Sequence, residues 1–204
     1  MKGLTFSGEM MCAWLAGNKT LTRRLMNLQP AEGAYYHHDE EDGVAFANPC
    51  SFHKPRYRPG ETVYIKEIHW RWGKWVKDGL TRTGKPAWKF TVVPAVGSTI
   101  SFLPHDKIPR GGIGWHKRSP LFLPESLARS HALILSASPE RVQEITEDES
   151  FNEGMNYRGA DGELHHLGDH PSYSLLEFQH TWETLHPGSW EKNDWVWRYE
   201  LEKK

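Results

Sequence analysis

The sequence predicts an α+β fold in which short strands curl into a small β-barrel or half-barrel, with helices over its openings. Three observations predict it. Segments rich in β-branched and aromatic residues are separated by Gly and Pro turn signals, helical spacing is confined to three short stretches, and the order of elements has no βαβ rhythm. At 204 residues one domain is expected, long enough for a substantial core.

Met10, Met11, Trp14 and Leu15 make a helical stripe over 8–16, with Ser7 as N-cap and Gly17 just past the end. If helical geometry continues through Thr20 and Leu21, Lys19 and Thr22 lie three apart on one face. Residues 30–56 mix charges, aromatic and histidine pairs, Gly43, Pro49 and Pro55 without a sustained period, and predict an irregular insertion. The turn Arg58-Pro59-Gly60-Glu61 launches a core strand over 62–70. Lys77-Asp78-Gly79 and Thr83-Gly84-Lys85 are turn-like and separate short strands at 74–76 and 88–93. Residues 132–136 predict a buried strand that 141–145 extends across Pro139. Thr146-Glu147-Asp148-Glu149 is a capping-box pattern opening a short helix that stops at Gly154, with Glu153 at its end. Leu175, Phe178, Trp182 and Leu185 mark an amphipathic helix closed by Pro187-Gly188. Trp195, Trp197, Tyr199 and Leu201 alternate with Val196, Arg198, Glu200 and Glu202, a terminal strand with one aromatic face.

Composition bounds the function. Lys and Arg number 25 against 26 Asp and Glu, a net charge of -1, which argues against a protein that coats nucleic-acid phosphate and leaves room for a local basic cleft. Cys12 and Cys50 are too few for a disulfide framework or a four-cysteine zinc site and fit reduced thiols in the cytoplasm. No apolar run approaches transmembrane length and the N-terminus lacks a signal-peptide stretch, so a soluble cytoplasmic protein without a membrane partner is expected. Ten tryptophans are present; core packing accounts least well for Trp70, Trp72, Trp75 and Trp88, which sit in polar sequence.

The stretch G-N-K-T-L-T-R-R (Gly17 to Arg24) places a lysine and two hydroxyls beside two arginines. Such clusters mostly serve solubility. Here Arg23 and Arg24 would also favour neutral Lys19, the form able to accept a proton from a hydroxyl, and both suit a phosphate or carboxylate. The glycine-rich run over 109–124 lacks the strand-loop-helix frame and terminal Gly-Lys-Ser/Thr of a P-loop. His165, His166, Asp169 and His170 offer nitrogen and oxygen ligands, but a loop gives them no fixed face, so no metal or other cofactor is assigned.

Five segments, L-A-G-N-K-T-L-T-R-R (15–24), R-P-G-E with V-Y-I-K-E (58–67), W-H-K-R-S-P-L-F-L-P (115–124), I-T-E-D-E-S-F-N-E-G (145–154) and G-S-W-E-K-N-D-W-V-W-R-Y-E (188–200), together resemble the ASCH family, most closely its long bacteriophage and prophage type. The resemblance leaves about 30–55, 72–110 and 155–172 as insertions in a single ASCH-like domain over 1–204. It implies a PUA-like small β-barrel with covering helices, whose cleft binds RNA, a nucleotide or a modified nucleobase. Family members include an amidohydrolase that deacetylates N4-acetylcytidine with a lysine, a threonine three residues later and a glutamate. Carried over, these positions are Lys19, Thr22 and Glu153.

Binding of a nucleic-acid component is the first reading. Thr20, Arg23, Arg24, Lys117 and Ser119 are then polar contacts, Trp70 and Trp115 stack on a base, and Glu67 faces the cleft or pairs with an arginine. Hydrolysis of an acyl amide on a modified nucleoside is the alternative, with Thr22 as nucleophile, Lys19 removing its proton and Glu153 protonating the leaving amine. A third possibility is a phage adaptor that binds a host protein through its insertions.

Overall fold

Of the expected stripe Met11 and Trp14 are buried, together with Ala13, while Met10 is half-buried and Leu15 exposed, in a helix that Gly17 ends at φ 85°, a left-handed conformation open to glycine without steric cost. This computed structural model describes residues 1–40, 43–48, 50–155, 157–158, 164–165 and 171–204. In chain order its elements are β1 (Lys2–Thr5), α1 (Gly8–Ala16), β2 (Leu21–Leu25), β3 (Tyr35–Glu40), β4 (Gly43–Ala47), β5 (Ser51–His53), β6 (Thr62–Lys66), β7 (His69–Leu80), β8 (Pro86–Val92), β9 (Ile100–Ser101) and β10 (Gly114–Arg118). β11 (His131–Arg141), α2 (Glu147–Asn152), β12 (Tyr157–Arg158), β13 (Leu164–His165), α3 (Pro171–Leu185) and β14 (Trp195–Lys203) complete it. The chain forms two compact units: unit 1 holds Met1–Lys2, Glu9–Tyr64 and Ser130–Lys204, and unit 2 holds Gly3–Gly8 and Ile65–Arg129.

In unit 1, β11, β14 and β2 lie side by side within a sheet of order β1-β6-β11-β14-β2. The terminal alternation forms β14, and Trp195, Trp197, Tyr199 and Leu201 are all buried. Val196, on the other face, is equally buried, because it packs with Phe178 and Trp182 of α3 and with Val142, Ile145 and Met155 from the segments flanking α2. Thr146 caps α2 as the capping box requires, accepting from the Glu149 amide while Glu149 accepts from the Thr146 amide.

Several expectations are corrected. Helical geometry does not continue past Gly17: residues 21–25 pair with β14, Thr22 opposite Tyr199 and Arg23 opposite Arg198, so Lys19 and Thr22 share no helical face. Residues 30–56 are not irregular, since β3, β4 and β5 form an antiparallel sheet. Val44 and Phe46 point inward there, and Phe46 meets Trp195 edge-on at 4.7 Å; a shift of register between Tyr36 and His38 hides the period in the sequence. β11 runs straight through Pro139 but stops at Arg141, where Val142 turns inward and its amide donates to Asp194 O.

In unit 2, β7 pairs with β10 on one side and β8 on the other, and β9 adds to β7. The expected strand over 62–70 divides at Glu67 into β6 and β7. Lys77-Asp78-Gly79 is a bulge within β7 rather than a turn, with Gly79 at φ 77°, and the hairpin closes at Thr81–Lys85 through the Thr81 amide and Lys85 O.

The whole is mixed α+β and mostly sheet. Because β7–β10 pair among themselves, the five-stranded sheet keeps β1 and β2 as open edges, and the described residues do not form a closed barrel. Among them, no helix is long and apolar enough to cross a membrane.

Candidate functional site

Strand geometry in β2 sends Arg23 to the face of the sheet that α2 covers and Thr22 and Arg24 to the opposite face. Arg23 is the hub of the first group. Its Nε donates to Glu140 Oε1, its Nη2 to Glu149 Oε2 at 2.7 Å, and its Nη1 to Glu153 Oε1 at 3.3 Å, with no side-chain exposure. Glu149 also accepts from Arg198 Nε at 2.9 Å, and Arg198 reaches Glu200 at 2.9 Å.

Lys19 enters the same network from the loop before β2. Its Nζ donates to Leu21 O at 2.7 Å, Glu153 O at 2.6 Å and Glu153 Oε2 at 3.0 Å. Glu153 thus joins Lys19 to Arg23. It is placed by α2, whose C-cap it forms, and by Gly154 at φ 82°, against which Lys19 lies; a Cβ on Gly154 would sit 2.7 Å from Ala13 Cβ and 3.4 Å from Lys19 Cβ.

Burial governs the electrostatics. Desolvation pulls the Lys19 pKa below its ordinary 10.5, while the Glu153 charge and hydrogen bond pull it back up. Three acceptors around Nζ match the three protons of the ammonium form. Burial pushes the Glu140 carboxyl up against the attraction of Arg23. At Glu149 desolvation acts upward too, but the Thr146 amide, Arg23 and Arg198 outweigh it and hold the carboxyl below 4.5.

On the opposite face, Thr22 is buried beside Tyr199, and Arg24 opposes Trp197. Burial drives the Tyr199 hydroxyl up to about 12, so it stays protonated. Trp197 also lines a cavity of about 440 Å³, with Leu135, Ser136 and Ala137 of β11, Asp39, and Arg58 of the turn before β6. Its size falls in the range of small-molecule sites, roughly 300–1,000 Å³.

The structure therefore brings Lys19 and Glu153 together and adds Arg23. Among the described residues no hydrogen bond joins Thr22 to either of the first two. Thr20 is exposed and serves through its backbone, its amide donating to Asn152 O and its carbonyl accepting from Leu201 N. Glu67, in unit 2, forms a two-pronged ion pair with Arg129 at 2.8 and 2.7 Å, the arginine use weighed for it. Ser119 caps the 3-10 turn at Pro120–Phe122. Trp70, Trp115 and Lys117 lie on the β7–β10 sheet, Lys117 opposite Trp70. His166, Asp169 and His170 lie outside the described residues.

Sequence reasoning missed Glu140 and Glu149 as partners of Arg23, and Arg198 as the second arginine on Glu149. Glu149 was visible only as a capping residue and Arg198 only as a polar position of the terminal strand, while Glu140 was not singled out. Nothing in the sequence marked the cavity, which depends on residues from four separate segments. Comparison with protein-family models, with curated proteins and with solved structures gives no match for this chain.

Proposed function

We propose that this chain is an ASCH-type, PUA-like protein, of the long phage or prophage kind and cytoplasmic in the host, that binds a nucleic-acid component such as a nucleotide, a modified nucleobase or an RNA end. The observation that carries the reading is the meeting of Lys19 and Glu153. Two residues that the ASCH resemblance assigns to one site, separated by 134 positions, form a buried ion pair. The cavity bounded by Trp197, Arg58 and Asp39 supplies the place for the ligand: a flat apolar wall, a cation for phosphate or a base oxygen, and a carboxylate able to accept from an exocyclic amine.

Binding is favoured over turnover by the state of Lys19. A lysine that takes a proton from Thr22 needs a free lone pair, and here its three N–H directions are met by Leu21 O and by two oxygens of Glu153. One observation favours the second reading, amide hydrolysis: burial lowers the Lys19 pKa, which is the direction a general base requires.

Thr22→Val separates the two. The protein is incubated with N4-acetylcytidine, product is followed by chromatography, and binding is followed by calorimetry. The binding reading expects a bound, unaltered nucleoside in both proteins. Acetate release by the wild type that disappears in Thr22→Val would overturn it in favour of hydrolysis.

A further inference from the structure

The near-zero net charge of the chain conceals a division. Gly3–Gly8 and Ile65–Arg129, which make up unit 2, hold 12 Lys and Arg against 4 Asp and Glu, a net +8, while the remainder holds 13 against 22, a net -9. Glu67 and Arg129 neutralise each other, which leaves the net +8 unchanged. A near-zero net charge therefore does not exclude nucleic-acid phosphate from unit 2 taken by itself.

The tryptophans divide in the same way. In unit 1 Trp14, Trp182, Trp195 and Trp197 are 1–7% exposed and Trp190 is half-buried against the core, with Trp197 also lining the cavity. In unit 2 Trp70, Trp72, Trp75, Trp88 and Trp115 are all partly exposed, and the large apolar residues of β7, β8 and β10 are likewise not buried. Core packing does not account for five indoles on a sheet whose own apolar side chains stay in contact with water.

Strand register sorts these side chains by face. Along β7, Trp70, Trp72 and Lys74 share one face. Directly opposite them stand Lys117, Trp115 and Thr91, and Lys89 follows opposite Val76. Trp72 and Trp115 meet edge-to-face at 5.6 Å. The His105 ring lies parallel to the Trp115 ring at 4.6 Å and 11°, so a flat heteroaromatic ring already stacks on this surface.

We propose that this face of the β7–β10 sheet binds a single-stranded polynucleotide, with Trp70, Trp72 and Trp115 stacking on unpaired bases and Lys74, Lys89 and Lys117 contacting the phosphates between them. The interleaving of rings and cations on an antiparallel sheet suits a flexible strand, whose bases are free to stack, and not a duplex, whose bases are already stacked. An acidic peptide would use the lysines and leave the three indoles idle. Trp72, Lys74 and Lys89 lie in residues 72–110, outside the segments that resemble the ASCH family, Trp115 and Lys117 lie within one of those segments, and the surface does not depend on the cavity of unit 1.

The test is fluorescence anisotropy of a labelled oligouridylate of about twelve nucleotides, long enough to cross a site of this width. The wild type is expected to bind, and three phosphate contacts predict a weakening of about 20-fold between about 50 and about 200 mM salt. Trp115→Ala should weaken binding about tenfold. Lys74→Glu/Lys89→Glu/Lys117→Glu should abolish it. The control Lys77→Glu/Arg82→Glu/Lys85→Glu makes the same change of charge on the other face and in the hairpin turn, and should retain most of it; circular dichroism confirms that each variant is folded. No binding by the wild type, equal losses in the two triple variants, or a duplex or polyglutamate competing as well as the single strand would each overturn the proposal. Mononucleotide binding by the cavity is scored separately with unlabelled nucleotide, so either site can fail without the other.

Discussion

Lys19 and Glu153 meet at 3.0 Å with side chains 0% and 2% exposed, although 134 positions separate them. The pair fastens the loop before β2 to the end of α2, and through Arg23 it ties both to Glu140 of β11. A buried pair of this kind contributes little over an apolar replacement of both partners, yet is costly to halve.

Lys19→Met should therefore destabilise unit 1 by about 3–5 kcal/mol, because Glu153 is left with one fewer cation in a dry setting. Lys19→Met/Glu153→Gln should recover a good part of that loss. Urea unfolding of the two single variants and the double variant measures the coupling. Additive losses would show that the two side chains do not act as a pair.

Gly154 also fixes this arrangement. Its φ of 82° and the 2.7 Å approach of an added Cβ to Ala13 Cβ predict that Gly154→Ala costs about 1–3 kcal/mol. Ala13→Gly in the same protein removes the contact but not the backbone strain, so thermal melting should show partial rescue and no more.

Acid should loosen the network through Glu149. Its carboxyl is held below the ordinary 4.5 by the Thr146 amide and by Arg23 and Arg198, which outweigh desolvation. A depressed folded value contributes stability that is complete above 4.5 and is lost as pH falls from there through the folded value, because the unfolded chain takes up the proton first. Glu149→Gln should lower stability at neutral pH and flatten the loss below 4.5. An unchanged acid limb in denaturation curves collected across that range would contradict this account of Glu149.

Much of this architecture is legible in the sequence where a local rule decides. The Thr146–Glu149 capping box, the glycine stops at Gly17 and Gly154, and the aromatic alternation of β14 depend on residues within a few positions of each other, and all appear in the structure. What is not legible is decided by pairing between distant segments. Leu21–Leu25 becomes strand because β14 offers it an edge, β3–β5 form around the inward Val44 and Phe46 despite a register shift, and Asp78-Gly79 bulges because β8 continues to pair beyond it. The candidate site divides likewise: the loop before β2 and the end of α2 bring Lys19 and Glu153 together, whereas Thr22 follows the strand to the other face. Overall charge misled most, since a sum over the chain cancels two units of opposite sign.

Calorimetric titration of wild type and Ala137→Phe with a panel of nucleosides and nucleotides decides whether the cavity of unit 1 holds a nucleic-acid component, as proposed. Ala137 lines the cavity from β11, so a phenyl ring there fills space while the Lys19 network on the other face is untouched. Saturable binding of at least one member of the panel by the wild type is expected, weakened about tenfold or more in Ala137→Phe at an unchanged melting temperature, a loss of about 1.4 kcal/mol or more. Absence of binding across the panel, or binding indifferent to the filled cavity, would overturn the proposed function.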